Sequence, residues 1–274
     1  LRWHRIQRHE LGTDPASDAI VFEEKVEEYS AFVYRTKSKR YIIIGSEQTL
    51  ASEYHYLDAS QPRGELRVIE PRERGREYSV DHFGDHFYIR TNDGARNFRL
   101  MRTPVTNPGR AHWTEVVPHR PDVYFGEFEV FRDHLVLSER KDGLLRLRVM
   151  PWSGGGDHYI TFSEPAYDAS IDDNPELDTS ELRNTYSPLT TPKSTYEYDM
   201  ASREQTLLKR TKVGGYDPAN YTTERIEAPA RDGKRIPVSL LYRKGFKRDG
   251  SAPLFLYAYG SYGSSSDADF NSSV

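Results

Sequence analysis

The sequence predicts an all-β propeller of about four four-stranded blades, followed by the first strands of an α/β domain. Three observations predict it: an internal repeat of 44 to 49 residues, period-two alternation of apolar and polar side chains within each repeat, and a change of composition after Val213. Composition agrees with this reading. Hydrophobic residues make up 36% of the 274 residues and tyrosine is abundant at 19. That balance suits many short, half-exposed strands better than helices packed around a thick core.

The repeat emerges when SEYHYLD from Ser52, RNFRLMR from Arg96, LRLRVMP from Leu145 and STYEYDM from Ser194 are aligned. Tyr54, Phe98, Leu147 and Tyr196 then fall 44, 49 and 49 residues apart. Two residues on stand Tyr56, Leu100, Val149 and Tyr198, with polar His55, Arg99, Arg148 and Glu197 between. Such alternation marks a strand with one covered face. Each segment follows another strand: RYIIIGS, HFYIRT, HLVLSE and LRNTYS. Turns containing Asn92-Asp93-Gly94 and Lys141-Asp142-Gly143 join the second and third pairs, where glycine tolerates positive φ. Flanking strands complete sets of four near 29–71, 77–119, 123–164 and 167–212, with residues 1–25 as the outer strands of an earlier blade. A plain β-sandwich is the alternative, but it gives no reason for the period to recur in phase. Four and a half blades leave strand edges open. The first residue is Leu1, not methionine, so the chain is expected to be a fragment of a longer propeller.

Residues 1–213 are thus assigned to a partial propeller, 214–223 to an interdomain linker around GGYDPANY, and 224–274 to a second domain. In that domain RIEAPARDGKRIPVSLLYRK predicts two strands joined at Arg231-Asp232-Gly233. APLFLYAYG, residues 252–260, predicts a strand buried on both faces.

Charge and chemistry-bearing residues narrow the function classes. With 38 basic and 42 acidic residues the net charge is −4, so no strong field for nucleic acid or an anionic membrane arises. Arginines in FRLMR and LRLRV alternate toward solvent and build no stacking platform for bases. No apolar run approaches the roughly 18 residues of a membrane span. Cysteine is absent, which removes disulfides and thiolate metal sites. His82 and His86 are four apart but fall in a strand-turn-strand segment, where that spacing does not converge on a metal, and His112 and His119 stand alone.

HELGTDPASDAIVFEE, AFVYRTKSKRYIIIGS, FYIRTNDGARNFRL, PHRPDV, YSPLTTP, ARDGKRIPVSLLYRK and YGSYGSSSDADF together resemble the prolyl oligopeptidase family, and within it the trypsin-like oligopeptidase B branch. The resemblance covers essentially the whole chain, and YGSYG…DADF is its most specific part. It implies a propeller capping an α/β-hydrolase domain and hydrolysis of short peptides after arginine or lysine by a serine nucleophile. It further implies a propeller that restricts substrate size, a cytoplasmic location, short basic peptides as partners and no cofactor. No G-x-S-x-G elbow occurs in the chain, so the catalytic triad is absent and the 274 residues alone are expected to be inactive.

The resemblance also implies two site elements. Tyr259 is placed as an oxyanion-hole donor, while Tyr257, on the same face, is expected to pack. Asp267 and Asp269 are placed as substrate-binding carboxylates for a basic residue at the P2 position, next to the residue cleaved. Charge-assisted pairing with arginine fits that role, since acids at i and i+2 share one face of an extended segment. Gly260 and Gly263 are expected to allow tight turns beside the substrate. Glu23-Glu24 is similar to the paired glutamates with which dipeptidyl peptidases hold a substrate amino terminus, but the stretch itself reads as an outer strand. Two other functions stay open: a non-catalytic propeller used as an interaction scaffold, and a prolyl-specific or acylaminoacyl relative.

Overall fold

The computed structural model describes residues 2–261 and 264–273. Among the described residues the regular structure is β throughout, apart from three short 3-10 turns. No helix among the described residues is long and apolar enough to cross a membrane. Two compact units form, the first holding Leu1–Arg132 and Pro175–Leu177, the second Asp133–Asn174 and Asp178–Val274.

The first unit opens with β1 (Arg5–Arg8) paired antiparallel to β2 (Ala19–Glu23). A blade follows, built from β3 (Ser30–Arg35), β4 (Tyr41–Gln48), β5 (Ala51–Asp58) and β6 (Arg67–Glu70) in that spatial order. The next contains β7 (Tyr78–Phe83), β8 (His86–Thr91), β9 (Arg99–Pro104) and β10 (Thr114–Val117). β11 (Val123–Val130) also belongs to this unit. The apolar run of β4 is largely buried because one face, with Tyr41 and Ile43, packs on the next blade, while the other, with Ser46, is covered from the side of Glu24. Gly45 is needed there, since a Cβ would overlap the ring of Phe32 on the neighbouring strand.

The core of this unit joins Tyr41, Ile43, Tyr54, Tyr56 and Ile69 of one blade to Tyr78, Val80, Phe87, Ile89 and Met101 of the other. Burying tyrosine leaves a hydroxyl to satisfy. Tyr78 Oη donates to the Glu70 carbonyl at 2.5 Å, and Tyr34 Oη to that of Val80 at 2.5 Å. Glu24 is sealed in as well. Its carboxylate accepts from Arg72 at 2.8 and 3.3 Å and from Ser46 Oγ at 2.5 Å. Burial alone would raise its pKa, but the bonds from Arg72 and Ser46 outweigh burial and hold it below the ordinary value.

In the second unit, β12 (His134–Lys141), β13 (Leu144–Pro151) and β14 (His158–Tyr159) precede a blade of β15 (Tyr167–Ile171), β16 (Glu181–Pro188), β17 (Ser194–Asp199) and β18 (Gln205–Arg210). Phe162, Tyr167 and Tyr186 pack there, with the Phe162 and Tyr186 rings stacked at 4.6 Å and 6°. β19 (Tyr221–Pro229) and β20 (Arg235–Arg243) form a separate antiparallel pair joined across Asp232-Gly233.

Two sequence expectations are corrected. Phe98 is not a strand residue. Seven residues, 92–98, separate β8 from β9, and Phe98 ends them with φ of +66°, its buried ring under the Arg90 guanidinium at 3.6 Å. Residues 252–260 are not a buried strand either. Leu254, Phe255 and Leu256 are 82%, 71% and 77% exposed, and Tyr257 does not pack. β19 and β20 pair with each other, and among the described residues no strand pairs with this run. Without a ladder partner or a facing layer, nothing withdraws its side chains from water.

His82 and Asp81 are neighbours on β7 that titrate in opposite senses. His82 is buried against Tyr41 and Phe87, with Nδ1 2.8 Å from Ser38 Oγ, and burial pulls its pKa down to about 4. Burial pushes Asp81 up to about 6, against bonds from the amides of His82 and Lys37. The depressed histidine contributes stability above its unfolded value of 6.5 that is lost as pH falls toward 4. The raised carboxyl contributes stability at low pH that is lost as pH rises from 3.8 through about 6. Each displacement is worth about 3 kcal/mol, so the two slopes largely cancel between them. Urea unfolding from pH 4 to 6.5 is expected to show a steeper rise of stability with pH in Asp81→Asn than in the parent, and a reversed slope in His82→Phe. Parallel curves for all three proteins would contradict this assignment.

Candidate functional site

The site is built on the turn between β12 and β13. Lys141 and Leu144 face each other across the ladder, leaving Asp142-Gly143 as a two-residue loop with φ of 52° and 72°. Positive φ at both positions is the type I′ geometry that Asp-Gly favours. The turn is also where β19 and β20 touch the blade strands. Arg225 of β19 donates to the Asp142 carbonyl, and a Cβ on Gly143 would sit 2.9 Å from Pro237 of β20. β19 is tied a second time where Glu164 accepts from Thr223 Oγ1 at 2.6 Å and Thr190 Oγ1 at 2.9 Å.

Arg140 lies one residue before Lys141, near the end of β12. Its Nη1 and Nη2 donate to Asp267 Oδ1 and Oδ2 at 2.5 and 2.8 Å, a bidentate pair with side chains 20% and 25% exposed. Three residues later the Phe270 amide donates to Ser187 Oγ at 3.2 Å, and its ring meets Tyr216 edge-on at 4.9 Å. Tyr216 is itself fixed, stacked on Tyr221 and donating to the Thr190 carbonyl at 2.8 Å. The expected linker is therefore fastened to the blade at this residue. Residues 264–270 have no regular structure of their own, so these contacts hold them.

Ser187 lies opposite Asp168 in the ladder between β15 and β16. The Phe270 anchor therefore brings the segment over Asp168, a half-buried carboxyl. Burial first, then the charges of Asp267 and Asp269, raise its pKa, while Lys193 and Arg140 oppose the shift. Around Asp168 the two further carboxylates thus act against the charges of Lys193 and Arg140, of which Arg140 is paired to Asp267. Such a cluster can take a cationic side chain. It contains no nucleophile paired with a base.

The structure thus brings Asp267 and Asp269 together with three groups that sequence reasoning missed: Arg140, Asp168 and Lys193. Tyr259 stands outside the cluster. It is half-exposed and makes no hydrogen bond or ring contact among the described residues. A Cβ on Gly260 would meet nothing within 4 Å, and Gly263 lies outside the described residues. Both glutamates of the Glu23-Glu24 pair already have partners, Glu23 accepting from Arg5 at 2.6 Å and Glu24 from Arg72. No group of three or more potential metal ligands occurs among the described residues.

Comparison with known proteins accords with the blades. Residues 2–211 match the family described as prolyl oligopeptidase, N-terminal β-propeller domain. Dipeptidyl aminopeptidase BI of Pseudoxanthomonas mexicana is 44% identical over 97% of this chain and 37% of its own length. Protease 2 of Moraxella lacunata is 34% identical over 97% and 38%. The chain therefore spans a little over a third of these curated relatives. Among solved structures, oligopeptidase B from Leishmania major superposes with a TM-score of 0.90 at 32% identity, covering 99% of this chain and 40% of that one. Oligopeptidase B from Trypanosoma brucei, in a closed form with covalently bound antipain, gives 0.89 at 31%, covering 98% and 40%. A match over residues 2–211, coinciding with the four strand sets, shows that this chain belongs to the prolyl oligopeptidase family through its N-terminal β-propeller domain.

Proposed function

We propose that the chain is part of a serine oligopeptidase that hydrolyses short peptides after arginine or lysine. The observation that supports this best is the carboxylate cluster of Asp168, Asp267 and Asp269, carried by a chain similar to oligopeptidase B over nearly its whole length. In this reading the nucleophile, acid and histidine belong to a hydrolase domain outside these 274 residues. The blades limit entry to short peptides, and Asp267 and Asp269 with their neighbours receive a basic side chain next to the cleaved residue. Tyr259, on the exposed run before the cluster, is the donor that meets the substrate oxyanion once the hydrolase domain surrounds it. Acylation of the serine, followed by attack of water on the acyl-enzyme, completes the reaction.

The 44% identity to a protein named dipeptidyl aminopeptidase BI favours a second reading, release of dipeptides from a free amino terminus. An N-blocked arginyl-arginyl chromogenic substrate separates the two. The full-length enzyme is expected to cleave it, and the 274-residue chain alone to leave it intact. Cleavage only of the unblocked dipeptide substrate would favour the second reading. Cleavage of neither would leave the scaffold function.

The oxyanion role has its own signature. Tyr259→Phe in the full-length enzyme is expected to lower kcat about 10²- to 10³-fold with little change in KM, because the donor acts mainly in the transition state. An unchanged kcat would remove Tyr259 from the chemistry.

A further inference from the structure

Asp267 and Asp269 differ in what already holds them. Both oxygens of Asp267 accept from Arg140, whose guanidinium cancels the carboxylate's charge and fixes its plane. Asp269 is exposed, and among the described residues it makes no hydrogen bond or ion pair. It lies between two fixed points, Asp267 on Arg140 and Phe270 on Ser187 and Tyr216. A short irregular segment pinned at both sides of one residue presents that residue in a defined place without contacting it. The arginine doing the pinning comes from β12, 127 residues earlier in the chain.

We infer that the two aspartates divide the work: Arg140 is a positioning residue that holds Asp267, and Asp269 is the carboxylate that meets the basic side chain of the substrate. The inference rests on the proposed basic-peptide reading and refines it. An incoming guanidinium finds Asp267 already neutralised and Asp269 unpaired. Pairing with Asp269 therefore gains more than competing with Arg140 for an occupied carboxylate. Asp168, opposite Ser187 in the blade ladder, adds negative potential from the blade side.

The test is a double-mutant cycle in the full-length enzyme. It reads the ratio of kcat/KM for substrates with arginine or glycine before the cleaved arginine. Asp269→Asn is expected to lower this ratio about 10- to 100-fold, the worth of a charge-assisted bond. Asp267→Asn and Arg140→Gln are each expected to lower it less. The double variant Arg140→Gln/Asp267→Asn should match the worse single variant, because each change breaks the same pair. Arg140→Lys, which keeps the charge but loses the fork, should fall between wild type and Arg140→Gln, and it serves if Arg140→Gln does not fold. A wild-type ratio near one would defeat the basic-peptide reading and this inference with it. A large wild-type ratio that Asp267→Asn abolishes while Asp269→Asn or Arg140→Gln leaves it intact would defeat the inference alone. Additive losses in the double variant would do the same.

Discussion

A four-stranded antiparallel blade has two faces and too little material to cover either one, so each blade is stable only against a neighbour. The composition of the chain follows from this. A thin core between sheets must be filled by side chains that are large, flat and tolerant of a wet edge, and tyrosine supplies all three. Tyr41, Tyr54, Tyr56 and Tyr78 fill the first unit, and Tyr167 and Tyr186 fill the second. Three of these hydroxyls donate to backbone carbonyls or a carboxylate, Tyr78 to Glu70, Tyr56 to Val105 and Tyr54 to the Glu47 side chain. An overall hydrophobic content of 36% is then sufficient, because few side chains need complete burial.

The same constraint explains where the site lies. Blade faces are used for packing, so the edges and turns remain to carry function. The Asp142-Gly143 turn serves three segments at once: it closes β12 on β13, seats β19 and β20 through Arg225 and Pro237, and places Arg140 beside Asp267. A blade thereby fixes a segment that lies more than 50 residues beyond its last strand. The ion pair is partly shielded and bidentate, the geometry in which arginine orders an otherwise irregular segment more than it stabilises the fold.

Much of this was legible in the sequence for a simple reason. Strand alternation and Asp-Gly turns are local signals, and a repeat averages out local noise. β4, β8, β12 and β16 fall on RYIIIGS, HFYIRT, HLVLSE and LRNTYS, and the Asp142-Gly143 and Asp232-Gly233 turns lie where glycine marked them. Phe98 misled because an aromatic in the right register looks the same in a strand as in the turn before one. Residues 252–260 misled because an apolar run predicts burial only if something is there to bury it. Arg140, Asp168 and Ser187 were not legible. Their relation to Asp267, Asp269 and Phe270 spans some 80 to 127 residues and exists only after the strands assemble.

The site depends most on residues 264–270 being held to the blade, by Arg140 at one end and Ser187 at the other. Amide hydrogen exchange at Phe270 reads this directly, because its N–H is bonded to Ser187 and has no strand to protect it otherwise. The expected result is a slowly exchanging amide in the wild-type protein that becomes fast in Arg140→Gln, while the amides of β16 keep their protection. A Phe270 amide that already exchanges at the rate of an unstructured chain in the wild type would contradict the account.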